Sequence, residues 1–168
     1  MRRVPPLRAR KAGLVVGRIV HHVAICPRDI SASLAFYVDG IGLDVLFDTV
    51  VTADLKTLVG APSNQTRTVF LGDLSDPNSG AVELVEIDGF DATAEAPVAF
   101  GIRGGLHLIA FQVAVEATLE RLADLGMGGD PRRIRTSRSG DLVAAVQDPD
   151  GTMVELLDRP MGATLLQT

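Results

Sequence analysis

Tryptophan is missing from this sequence, and tyrosine and cysteine occur once each, as Tyr37 and Cys26. So few rings leave little on which nucleic-acid bases could stack, and a net charge of −5 gives no general attraction to a phosphate backbone. Nucleic acid is therefore not an expected partner. One cysteine cannot close an intrachain disulfide, which suits a reducing compartment, and the cytoplasm is the expected location. Cys26 reads as a small buried residue, since nothing near it in sequence suggests an activated thiolate. No apolar run approaches the roughly 20 residues that a membrane-crossing helix needs. The start, "MRRVPPLRARKAGLVVG", is basic, but its apolar part from Leu14 to Val16 is too short for the core of a signal peptide. Residues 1–17 are expected to form a flexible basic tail and 159–168 a C-terminal tail.

What remains, from 18 to 158, suffices for one domain: the chain has 168 residues, 46% of them apolar. Residues from Arg18 to Cys26 favour a strand. "PRDISASLAFYVDGIGL" then changes period, with Ile30, Leu34 and Val38 at helical spacing, Asp29 placed as an N-cap and Gly40 as a stop. "GLDVLFDTVV", "TRTVFLGD" and "AVELVEI" read as strands, separated by a polar or helical excursion and by the turn "SDPNSG". After the link "DGFDATAEAPVAFGIRG" the order repeats. "GLHLIAFQV" is a strand, "VEATLERLADLG" a helix with Leu119, Leu122 and Leu125 on one side, and "PRRIRTS", "DLVAAVQD" and "TMVELLD" are strands, the last entered through the tight turn "DPDG". The expected fold class is α+β, with two βαβββ modules over 18–90 and 104–158. Self-similarity of this kind takes precedence over any single motif.

The copies also correspond in chemistry. Each first strand carries a histidine (His22, His107) and each last strand a glutamate followed by leucine (Glu83, Glu155). In "GRIVHHVAIC", strand alternation sets His22 with Val20, Ala24 and Cys26, and sets His21 with Ile19, Val23 and Ile25 on the bulkier face expected under a helix. A carboxylate among apolar strand neighbours is costly unless paired, hydrogen-bonded or bound to a cation. Two neutral imidazoles and two carboxylates balance one divalent ion, and this donor mixture suits Zn, Ni, Co, Mn or Fe(II) with positions left for water or substrate. Glu86 falls on the strand face opposite Glu83 and reads as solvent-facing or interfacial.

The segments "HHVAICPRDISASLAFYVDGIGL", "GAVELVEIDG", "GLHLIAFQV" and "DPDGTMVELLD" together resemble the vicinal oxygen chelate superfamily, which includes glyoxalase I, methylmalonyl-CoA epimerase, extradiol dioxygenases, and fosfomycin and bleomycin resistance proteins. The resemblance implies curled mixed sheets around a metal-centred cleft taking one ligand from the first and one from the last strand of each module: His22, Glu83, His107 and Glu155. It selects His22 over His21 because His22 directly precedes "VAI". That set looks most like glyoxalase I; the related epimerases usually have Gln where Glu83 stands. The implied chemistry is a lyase, isomerase or epimerase acting on a small carbonyl substrate through a metal-stabilised enolate, with Glu155 or Glu83 as the proton-transferring base. The alternatives are an Fe(II) extradiol-type dioxygenase and a non-catalytic, ligand-sequestering protein like the bleomycin resistance proteins. The resemblance also implies a homodimer. In "PRRIRTSRSG", Arg133 and Arg135 would grip an anionic part of a substrate. A solvated edge strand that discourages aggregation is the plainer account of that basic cluster.

Overall fold

Short apolar runs punctuated by Gly, Pro and Asp set the elements. The computed structural model describes residues 20–76, 79–94, 105–136 and 139–158. Both expected tails, Arg18 and much of the link between the modules lie outside these residues. The first module comprises β1 (His22–Ile25), α1 (Ile30–Leu34), β2 (Asp44–Thr52), α2 (Leu55–Val59), β3 (Gln65–Gly72) and β4 (Ala81–Ile87). The second comprises β5 (Leu108–Gln112), α3 (Val115–Asp124), β6 (Gly128–Arg135), β7 (Leu142–Gln147) and β8 (Met153–Leu157). The expected α+β class and its two modules are what the chain adopts.

Each module forms one four-stranded mixed sheet, ordered β1-β4-β3-β2 and β5-β8-β7-β6. The first strand runs parallel to the last, and the other pairs are antiparallel. Alternation then separates two faces. Val82 and Leu84 on β4, and Val154 and Leu156 on β8, are buried in the core. Glu83 and Glu155, set between them, lie on the outer faces.

One core serves both modules. Ile30, Phe36, Tyr37, Ile41, Val69, Leu71, Val82 and Leu84 of the first form a single cluster with Val115, Leu119, Leu122, Val146, Val154 and Leu156 of the second. The helices make the junction. Helix α1 begins where Asp29 Oδ1 accepts from the backbone N–H groups of Ser31 and Ala32, as its N-cap position predicts. It does not stop at Gly40. The chain continues through a π-type segment, Ala35–Ile41, and ends at Gly42, which takes the left-handed conformation (φ 95°). Gly40 serves close packing instead: a Cβ there would overlap Leu122 Cδ2, so its bare Cα is what lets α3 approach. Arg121, one residue before Leu122, donates to the carbonyls of Gly40 and Ile41 (3.0 and 3.2 Å), satisfying the end of the first module's helical segment from the second module. Leu119 and Leu122 are buried as the spacing predicts, but Leu125 is exposed because α3 has ended before it.

Candidate functional site

Strand β1 is only four residues long and lies at the sheet edge, so its first residue, His22, stands at the rim of the outer face. Ala24 is paired with Glu83 and Phe70 with Glu83 from the other side, which places all three on that face. The His22 Nε2 to Glu83 Oε2 distance is 3.3 Å, with the glutamate side chain 16% exposed. A carboxylate this enclosed needs a partner, and His22 supplies it. The Phe70 ring meets the His22 ring edge-on at 5.3 Å, and Phe47 lies 6.3 Å beyond Phe70, so an aromatic strip leads to the His–Glu pair.

His21 departs from its expected position. It precedes β1 instead of continuing the alternation, is exposed, and turns its ring to His22: their Nδ1 atoms are 2.7 Å apart, one donating and the other accepting. It packs under no helix. With Nδ1 engaged, His22 presents Nε2 to Glu83, the arrangement by which a neighbour fixes an imidazole's orientation. Cys26 is also exposed, contrary to expectation, because β1 ends at Ile25 and Cys26 follows it outside the core. Desolvation, and then the charge of Glu83, push its thiol pKa up, so it remains protonated.

In the second module Glu155 stands on the outer face between Ala110 and Ala145, two small neighbours that leave space around it. His107 lies one residue ahead of β5, and its Nδ1 is buried with no hydrogen-bond partner among the described residues. Thus the structure pairs His22 with Glu83 and places His107 and Glu155 in the other module. Among the described residues no three His, Cys, Asp or Glu side chains group closely enough to hold a metal ion within one chain. The outer faces explain this, since both are turned away from the shared core.

The basic cluster divides. Arg133 and Arg135 pair with Ala144 and Leu142, whose side chains point to the core side, so these two arginines share that side and not the face of Glu155. Arg135 donates to the Gly140 carbonyl at 3.0 Å. Arg132 pairs with Ala145, the partner of Glu155, and so lies on the Glu155 face. The register irregularity between Gly128 and Arg132 sets this phase, which alternation counted from the sequence does not reveal. Glu86 lies opposite Glu83, as expected, and accepts from Arg67 at the surface together with Asp48.

"DPDG" forms the expected turn and something the sequence did not suggest. Asp148 is buried and accepts from the Tyr37 hydroxyl (2.8 Å) and from the backbone N–H groups of Thr152 (2.7 Å) and Asp150 (3.0 Å). Asp150 in turn accepts from the Arg28 N–H (2.9 Å) and the Ser33 hydroxyl (3.3 Å). Burial raises the Asp148 carboxyl above its ordinary range, and burial followed by the nearby Asp148 charge raises the Tyr37 phenol. The signal available in the sequence was a lone tyrosine on a helix facing the core.

A family model described as Glyoxalase/Bleomycin resistance protein/Dioxygenase superfamily matches residues 19–156. The chain is 35% identical over 148 residues to the "lactoylglutathione lyase-like protein terB" of Aspergillus terreus, covering 84% of this chain and 75% of that protein. In fold it is similar to a glyoxalase family protein of Bacillus cereus (TM-score 0.64, 12% identity, 89% of this chain and 97% of that one). It is also similar to a mutant of the fosfomycin resistance protein FosX of Listeria monocytogenes complexed with Mn(II) (TM-score 0.54, 16% identity, 90% and 99%).

Proposed function

Because the chain belongs to the Glyoxalase/Bleomycin resistance protein/Dioxygenase superfamily, we propose that it is a metal-assisted lyase, isomerase or epimerase acting on a small carbonyl compound. The observation that carries this reading is the His22–Glu83 pair, an imidazole nitrogen and a largely enclosed carboxylate 3.3 Å apart on an outer face edged by Phe70. His22, Glu83 and Glu155 are the side chains that would hold a divalent ion: each stands on an outer face and offers a nitrogen or oxygen lone pair suited to Zn, Ni, Co, Mn or Fe(II). When bound, such an ion supplies Lewis-acid stabilisation of negative charge developing on substrate oxygens.

The chain's own groups account for the remainder. His21 holds Nδ1 of His22 and thereby aims Nε2. Glu83 is the favoured base, taking the proton from the carbon beside the carbonyl and returning it at the neighbouring carbon or the opposite side, with Glu155 as the carboxylate from the other module. Phe70 and Phe47 exclude water from one side and offer an apolar bed for the substrate.

A second copy of the chain completes the site in this reading. Both outer faces are turned away from the shared core, and β1 and β5 are both edge strands, a kind of element that proteins normally cover. The compartment that fits is the cytoplasm; no helix among the described residues is long and apolar enough to cross a membrane.

The test is metal content by plasma mass spectrometry on untagged protein, alongside light scattering for mass. About one equivalent of Ni, Co, Zn or Mn per site, lost in His22→Ala and Glu83→Gln, is the expected result. Iron together with oxygen uptake on catechols would move the chemistry to a dioxygenase. Absence of metal after reconstitution would overturn the metal-assisted reading and leave a ligand-binding protein.

A further inference from the structure

The two modules can be superimposed by strand register alone. In the first, β1 runs parallel to β4 with His22 opposite Ala81 and Ala24 opposite Glu83. In the second, β5 runs parallel to β8 with Leu108 opposite Met153 and Ala110 opposite Glu155. Counting from each glutamate, the counterpart of Ala24 is Ala110, and two residues back the counterpart of His22 is Leu108. His107 corresponds to His21. Flanking residues agree, since Val23-Ala24-Ile25 falls on Ile109-Ala110-Phe111. Both histidines of this second correspondence stand one residue before the strand begins.

We propose that Leu108 occupies the fourth ligand position of the metal site and that His107 lies outside it, so that the native ligands are three: His22, Glu83 and Glu155. This rests on the metal-assisted reading above. A leucine has no lone pair to donate, so that corner of the ion is left to water or substrate oxygen, bordered by an alkyl side chain. Its small neighbours, Ala110 and Ala145, leave space beside Glu155 for the incoming group. The correspondence of His22 with His107 that the sequence suggests comes from counting histidines; pairing against Glu83 and Glu155 shifts it by one residue.

The experiment titrates the full-length apo protein with Co(II) and follows the visible d–d absorption. His107→Ala is expected to bind within about twofold of wild type, while His22→Ala and Glu155→Gln weaken binding by about tenfold or more. Leu108→His is expected to tighten it by about tenfold or more. A second pair of variants reports ligation directly, with wild type as the background for Cys26: Leu108→Cys should add a near-ultraviolet cobalt–thiolate band and His107→Cys should not. Loss of binding in His107→Ala equal to that in His22→Ala, or a thiolate band in His107→Cys, would overturn the assignment. If wild type binds no cobalt while Leu108→His and Leu108→Cys do, the place assigned to Leu108 stands and the metal-assisted reading of the native chain falls. If none of them binds, both fall.

Discussion

Asp148 carries more than its place in a turn requires. Its carboxyl pKa is raised by burial, so between the ordinary 3.8 and its higher folded value the folded chain binds more protons than the unfolded one. The sign follows: the contribution of this group to stability is fully present below 3.8 and is lost as pH rises through the folded pKa. Urea unfolding midpoints measured across that range should therefore fall for wild type relative to Asp148→Asn, and parallel curves for the two proteins would contradict the assignment. Tyr37→Phe removes one donor from the same carboxylate and should cost about 1–2 kcal/mol at neutral pH, read from chemical denaturation. His107→Leu is expected to leave the thermal midpoint unchanged or raise it, since the buried Nδ1 has no hydrogen-bond partner among the described residues to lose. None of these three roles was legible in sequence. A tyrosine at helical spacing and a "DPDG" turn each have an ordinary local meaning, and their meeting joins residues 111 positions apart.

Elements were far more legible than their ends. "AVELVEI" reads as a strand and is one, from Ala81 to Ile87, because a short run rich in Val and Ile is bounded by a turn and a glycine. Asp29 capped its helix as expected, whereas Gly40 did not end it, since its use is close approach to Leu122. Gly40→Ala tests that role: the added methyl meets the end of the Leu122 side chain, and a cost of about 1–3 kcal/mol is expected despite the better helix propensity of alanine. In a Leu122→Ala background the same change should cost markedly less, a coupling that a double-mutant cycle measures. The N-terminus of α3 shows another limit, because its Val115 N–H is satisfied by Asp158 Oδ1 (2.8 Å), 43 residues away, and no local cap announces it. Single-residue errors at strand ends had the largest effect. His21 and His107 each lie just ahead of a strand, where alternation no longer says which way a side chain turns.

At the scale of the whole molecule the duplicated order was plain in the sequence, but the partnership of the halves was not. Periodicity marks which face of an element is apolar; it does not identify the element that covers it. Here the helix-bearing sides of both modules contribute to one core, and the sides bearing His22, Glu83 and Glu155 are turned away from it. Light scattering is expected to give the mass of two chains. A fragment ending at residue 94 should show no cooperative thermal transition by circular dichroism, because Phe36, Tyr37, Val69 and Leu71 would lose the neighbours they share a core with. The same arrangement bears on synthesis. While the ribosome is still translating the second half, the first half has already emerged with half a core and nothing to close it, and only when Val154 and Leu156 arrive, near the end of the chain, can the nascent protein bury what it has been exposing.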